Sequence, residues 1–290
     1  LSTEPDFSHV SWVEFNHRNK PELKIAPLDV SQNLKKHLWE EKQTVLTSAT
    51  IQTNLIERLG VPINGGTPLR VESPFDYKKQ SLLYCPEMPD PSKDALLWKE
   101  LILEEIEKLI SLAGGRTLCL FSSRNELHRV TQEMRNRLDL PILMQGEKSP
   151  KELLREFAAN EKSSLFGTRT FFQGVDVPGP TLSLVILNRI PFPGPKEFLI
   201  KAWSQRASVK TNGFGWRDVE LPIGVLRVVQ VFGRLIRKKG DLGVFAVLDP
   251  RLLRSDYKEK FLDSLPSMPV SENMDDVEVF FTESQFDDFI

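Results

Sequence analysis

Thr117-Leu-Cys-Leu-Phe121 is a continuous apolar run, set between the turn pair Gly114-Gly115 and the polar pair Ser122-Ser123. A strand with one wet face alternates apolar and polar residues. A strand that is apolar throughout is buried on both faces, as in a parallel sheet covered by helices. The flanking sequence repeats that logic. Apolar positions at helical spacing predict helices over 94–112, 125–138 and 150–160, and short apolar segments predict strands at 141–144, 164–166, 182–187 and 243–248. Strands that alternate with helices predict an α/β fold, a parallel sheet with helices on both faces.

The first part of the chain reads differently. Residues 11–15 alternate as a strand and 23–27 as a second short one. A helix is expected over 30–41, capped by Asp29 or Ser31, then a β-rich segment at 44–47 and a helix over 53–59 closed by Gly60. Residues 61–94 are rich in Pro and Gly, carry one strand-like segment at 80–85, and read as a crossing between two units. Residues 202–214 show no clear period. The last segment, 271–290, holds seven acidic residues, no Lys or Arg, and Phe280, Phe281, Phe286 and Phe289. Such a tail either packs its aromatic rings back on the domain or docks them in a partner. The boundaries that follow are 1–66, 67–93, 94–270 and 271–290.

Composition narrows the function classes. The formal net charge is −2, so any nucleic-acid contact must be local. Cys85 and Cys119 lie far apart and give neither a disulfide framework nor a zinc knuckle. His9, His17, His37 and His128 lack metal-ligand spacing, so no metal site is expected. No run approaches a membrane span and no signal peptide is evident, which reads as a cytoplasmic protein with no membrane partner. The first residue is Leu1, which reads as a piece of a longer chain.

Four short motifs carry the chemistry. Gln230-Val-Phe-Gly-Arg234-Leu-Ile-Arg237 predicts an amphipathic helix that starts at Leu221-Pro222 and stops at Gly240. Gln230, Arg234 and Arg237 fall on one face; Val228, Phe232, Leu235 and Ile236 fall mainly on the other. Two guanidinium groups one turn apart can grip a polyphosphate, although a lone Arg-x-x-Arg also describes a salt-bridged surface helix. Thr47-Ser48-Ala49-Thr50 follows a short strand, and alone it describes a cap cluster. Ser122 and Ser123 end the apolar run; Ser123 with Glu126 fits a capping box, and free N–H groups there also suit an anion. The fourth motif runs Gly167-Thr168-Arg169-Thr170-Phe171-Phe172-Gln173-Gly174-Val175-Asp176-Val177-Pro178-Gly179. Its glycines permit backbone close to a ligand, and Asp176 can accept from a ribose hydroxyl or orient an Arg; the bland reading is a strand-to-strand loop.

In this order, over nearly the whole chain, the motifs resemble the DinG/XPD-like branch of superfamily-two DNA helicases. Thr47–Thr50 is similar to motif III, Leu118–Ser123 to motif IV, Phe171–Gly179 to motif V, and Gln230–Arg237 with Asp241-Leu-Gly243 and Leu248-Asp-Pro-Arg251 to motif VI and its following strand. The resemblance implies a RecA-like second motor domain at 94–270, preceded by a remnant of the first motor domain at 1–66. It implies ATP, with Mg²⁺ held by the first motor domain in cis, and single-stranded DNA as the track. Arg237 and Arg234 are then arginine fingers on the β- and γ-phosphates, an effect of about 10³ or more in rate. By the same resemblance, Gln230 helps position that face or the attacking water. Gly174 and Asp176 line the nucleotide, Ser122, Ser123 and Thr168 contact the phosphodiester backbone, and Ser48 and Thr50 couple the domains.

Other features depart from the family pattern. Gln173 stands where an acidic residue often occurs. No Gly-x-x-x-x-Gly-Lys-Ser/Thr, no Asp-Glu-x-His box and no cysteine quartet for an iron–sulfur cluster occurs in these residues. The isolated chain is therefore expected to hydrolyse negligible ATP. Two other readings are open: a stand-alone module that binds nucleic acid or a partner, and an unrelated α/β enzyme whose Arg helix binds a substrate phosphate. The tail segment Gln285-Phe-Asp-Asp-Phe289 is loosely similar to bacterial sliding-clamp-binding peptides, with an Asp where an apolar residue is usual.

Overall fold

The computed structural model describes residues 8–16, 18–42, 44–48, 55–62, 69, 71–168, 182–211 and 213–286. The chain divides into two compact units, Leu1–Glu72 with Phe192–Leu226, and Ser73–Pro191 with Arg227–Ile290.

In the first unit, β1 (His9–Phe15) pairs antiparallel with β2 (Pro21–Pro27), in register Val13 to Leu23. Trp12 stacks on Phe198 with ring centroids 6.0 Å apart. Phe198 opens the helix Phe198–Lys210, which lies where the sequence shows no legible period. Trp203 of that helix donates its indole N–H to the Leu28 carbonyl at 2.8 Å, and Arg58 lies 4.1 Å over its ring. The helix expected over 30–41 is present as Ser31–Leu34, widened into a π-turn over Lys35–Trp39 in which Glu40 N–H reaches back to Lys35 O. Residues 44–48, expected as β-rich, pair in no ladder among the described residues.

The second unit is built on seven parallel strands. They are β3 (Ser81–Tyr84), β4 (Thr117–Phe121), β5 (Ile142–Met144), β6 (Ser164–Thr168), β7 (Leu184–Leu187), β8 (Gly243–Val247) and β9 (Val270–Ser271). Their order is β5-β6-β4-β7-β8-β3-β9. The apolar run from Thr117 to Phe121 lies inside this sheet and every residue of it is buried. Cys119, Phe121, Leu184, Ile186, Val244 and Ala246 face a core shared with the helices Ala95–Ala113, Arg124–Arg137 and Met274–Phe286. Toward the other face, the Phe232 ring meets Phe245 at 5.7 Å, and the helix Pro150–Ala159 packs on β5 and β6. Residues apolar on both sides are thus satisfied on both sides, which is why β4, β7 and β8 read as unbroken apolar runs.

Local chemistry fixes the joints. Asp94 caps the Ala95–Ala113 helix by accepting from Leu97 N–H at 3.2 Å. That helix ends on Gly114 at φ 63°, and Gly115 follows at φ 92°. A Cβ on Gly115 would stand 2.1 Å from the Lys162 carbonyl oxygen, so this turn accepts only glycine.

The sheet takes in more of the chain than the periodicity indicates. Strand β3 is the strand-like segment expected at 80–85, which joins the sheet although it lies within the crossing 67–93, and β9 reaches the start of 271–290. The helix Met274–Phe286 buries Val277 and Phe281 in the core, so these tail residues pack back on the domain. No helix among the described residues is long and apolar enough to cross a membrane.

Candidate functional site

A polar row runs along the carboxyl edge of the sheet. Thr168 ends β6, and both its N–H and its hydroxyl donate to the side-chain oxygen of Gln145, at 2.7 and 3.0 Å, just past the end of β5. Phe121 of β4 is in register with Thr168, which brings Ser122 and Ser123 alongside it. Ser123 caps the Arg124–Arg137 helix, accepting from Glu126 N–H at 3.2 Å. The Glu126 carboxylate does not close a capping box; it is turned to Arg129 at 2.9 Å and Lys99 at 3.5 Å. Ser122 and Ser123 are exposed, while Thr168 is buried. Beyond them, the fully buried Asn188 at the end of β7 accepts from Ser122 N–H at 3.0 Å.

The row continues past β8. Asp249, fully buried, takes a bidentate contact from Arg251 (2.8 and 2.6 Å) and the Ile190 N–H at 2.9 Å. Arg189 stacks 4.2 Å over the buried ring of Trp98. Burial pulls the Arg189 guanidinium pKa down, while Asp249 and Glu126 push it up.

The arginine segment departs from expectation. The helix runs Leu221–Phe232 and stops there, rather than reaching Gly240. Gly233 is the cause: from it the chain tightens into three-residue bonds, Arg234 N–H to Val231 O at 3.0 Å and Leu235 N–H to Phe232 O at 2.9 Å. Leu235 and Ile236, adjacent in sequence, both turn into the core. Gly243 makes room for Leu235, since a Cβ there would lie 2.5 Å from its Cδ1. Gln230 is therefore exposed in the last helical turn, and Arg234 and Arg237 are half-buried beyond it, not on a shared helical face.

Arg237 leads into the first residue of the parallel strand β8, so its loop sits at the amino edge, opposite Ser122, Ser123 and Thr168. The loop is firmly held. The Asp241 carboxylate accepts from both Arg237 N–H and Lys238 N–H at 2.8 Å. The buried Gln80, next to the first residue of β3, donates its amide to the carbonyls of Lys238, Lys239 and Asp241 at 3.2, 3.0 and 2.9 Å. Burial lowers the Arg237 pKa and Asp241 raises it; the guanidinium stays charged at neutral pH.

The structure thus gathers Ser122, Ser123 and Thr168 and separates them from Arg234 and Arg237. Ser48 is exposed. Thr50, Gly174 and Asp176 lie outside the described residues. Sequence reasoning missed Gln145, Asn188 and Gln80. Gln145 and Asn188 each follow an apolar strand directly, a signal that was there to be read; Gln80 has no such signal, because its three acceptors lie about 160 residues away.

The chain belongs to the helicase C-terminal domain family, which matches residues 106–268. Its relatives include the ATP-dependent helicase DinG of Mycobacterium tuberculosis, 42% identical over 90% of this chain and 41% of that protein. The ATP-dependent DNA helicase YoaA of Escherichia coli is 33% identical over 92% of this chain and 42% of its own length. The chain therefore spans less than half the length of these relatives. The solved XPD helicase structure superposes with TM-score 0.62 at 20% identity, covering 86% of this chain and 46% of that one. The Xpd4 structure from S. tokodaii gives 0.59 at 18%, covering 87% and 49%. These likenesses establish the RecA-like fold of the sheet, and the family match bears out the DinG/XPD-like resemblance.

Proposed function

We propose that this chain is the C-terminal motor half of an ATP-dependent DNA helicase that couples ATP hydrolysis to translocation on single-stranded DNA. Residues 94–270 serve as the second motor domain and 1–66 as a remnant of the first. The exposed side chains of Ser122 and Ser123, at the start of a 14-residue helix, suit the phosphodiester backbone of any sequence. Thr168 sets that edge through Gln145. Arg234 and Arg237, with Gln230, meet the nucleotide phosphates from the opposite edge, and Gly174 and Asp176 line the nucleotide. Ser48 and Thr50 couple the two motor domains. The observation that carries the reading is the Arg237 loop. An arginine whose backbone N–H is held by Asp241, in a loop whose following carbonyls are held by Gln80, is placed for charge that develops on a phosphoryl group.

Among the described residues no group of three or more His, Cys, Asp or Glu side chains could hold a metal ion. The reading assigns Mg²⁺ to the first motor domain. The test is Arg237→Ala in the full-length protein. DNA-stimulated ATP hydrolysis should fall about 10³-fold while single-stranded DNA is still bound; unchanged unwinding would remove the reading. A sliding-clamp contact through residues 285–289 is a subsidiary proposal. A clamp pull-down unaffected by deletion of 285–290 would dispose of it.

A further inference from the structure

We infer that Gln80 is a positioning residue for Arg237. This deepens the motor reading above and rests on it. Gln80 is 6% exposed, and its carboxamide is fully committed. The oxygen accepts from Asp76 N–H at 2.9 Å, and the nitrogen faces three carbonyls, those of Lys238, Lys239 and Asp241. Three carbonyl oxygens converging on one point repel one another unless a donor fills it. The loop is also tied by the Asp241 carboxylate, which accepts from the N–H groups of Lys238 and of Arg237, the residue just before the stretch that Gln80 holds. Gln80 grips the loop from outside and Asp241 from within, so the Arg237 backbone has little freedom to drift.

Gln80 itself is anchored to the sheet. It directly precedes β3, whose first residue Ser81 pairs with Gly243 of β8. The Tyr77 ring, one turn earlier, packs 5.5 Å from Phe232, the last residue of the helix that leads to Arg234. Two contacts from one turn of chain thus fix both ends of the 233–242 segment. The role differs from simple loop stabilisation in one respect: it acts on turnover through Arg237 alone.

The experiment uses the full-length protein with Gln80→Leu, which removes the donor, and Gln80→Glu, which keeps the shape but presents oxygen to the three carbonyls. Each is combined with Arg237→Ala. Single-stranded-DNA-stimulated ATP turnover should fall about 10- to 100-fold in either Gln80 variant, with ATP KM and DNA affinity within about twofold. Added to Arg237→Ala, the Gln80 changes should cost nothing further. Wild-type kcat in any folded Gln80 variant, or an equal added loss in the Arg237→Ala background, overturns the inference. If Gln80→Leu fails to fold, Gln80→Glu is read alone by the same criteria. Full turnover in Arg237→Ala by itself overturns the underlying motor reading, which separates the two failures.

Discussion

Asn188, wholly buried at the end of β7, accepts through its side-chain oxygen the backbone N–H of Ser122 at the end of β4, over 3.0 Å. One neutral amide thus sets the height at which the Ser122–Ser123 loop leaves the sheet. Its own Nδ2 is buried with no acceptor among the described residues. Asn188→Leu should orphan the Ser122 N–H and destabilise the fold by about 1–3 kcal/mol. Single-stranded DNA affinity should fall while ATP KM holds, as read by fluorescence anisotropy and steady-state kinetics. Unchanged DNA affinity in a folded variant would deny Asn188 that part.

Arg251 answers a buried charge. Asp249 is 0% exposed and its two oxygens are taken by Arg251 together with the Ile190 N–H. Arg251→Met leaves that carboxylate without its cation, and urea denaturation should show a loss of about 3–5 kcal/mol. A loss below about 1 kcal/mol would mean the pair behaves as a surface contact.

Gly115→Ala should be severe for a small change. The new methyl meets the Lys162 carbonyl at 2.1 Å, and the backbone sits at φ 92°. Gly114→Ala, also at positive φ but with nothing within 4 Å, should cost about 1 kcal/mol. Equal midpoints for the two variants would contradict the close approach.

The two thiols give a pH signature. Burial pushes Cys85 up to about 12 from an ordinary value of 9.0, and it raises Cys119 as well. Folded thiols then stay protonated where unfolded ones ionise, so the unfolded chain binds fewer protons and stability falls as pH rises from about 9 toward about 12. Wild type should lose more stability across that range than Cys85→Ala/Cys119→Ala, and Ellman's reagent should label neither thiol until urea opens the fold. Rapid labelling without urea would place a thiol at the surface.

Much of the second unit was legible because its chemistry is local. The runs at β4, β7 and β8 are apolar on both faces, and the helices between them carry their caps in sequence, as Asp94 and Ser123 do. What was not legible depends on distant partners. Strand β3 was legible as a strand-like segment at 80–85, but its place in the sheet, with β8 on one side and β9 on the other, was not. The helix Phe198–Lys210 has no clean apolar stripe because Trp203 and Phe198 find separate partners in Leu28 and Trp12. The arginine motif misled in a specific way. Gln230, Arg234 and Arg237 keep helical spacing through Gly233, yet the helix ends at Phe232 and the chain tightens into three-residue bonds after that glycine. Ser122, Ser123 and Thr168 lie at neighbouring strand ends because strand ends in a parallel sheet share an edge.

The place of β3 bears on how the protein is made. Ser81–Tyr84 is translated first among the seven, yet its neighbours are the last two, β8 and β9. At about 5–20 residues per second, roughly 160 residues of synthesis separate this segment from β8, or about 8–30 seconds on the ribosome. During that interval a sticky tetrapeptide waits with both flanks bare, so chaperone occupancy of the nascent chain should peak there and drop once Gly243–Val247 emerges.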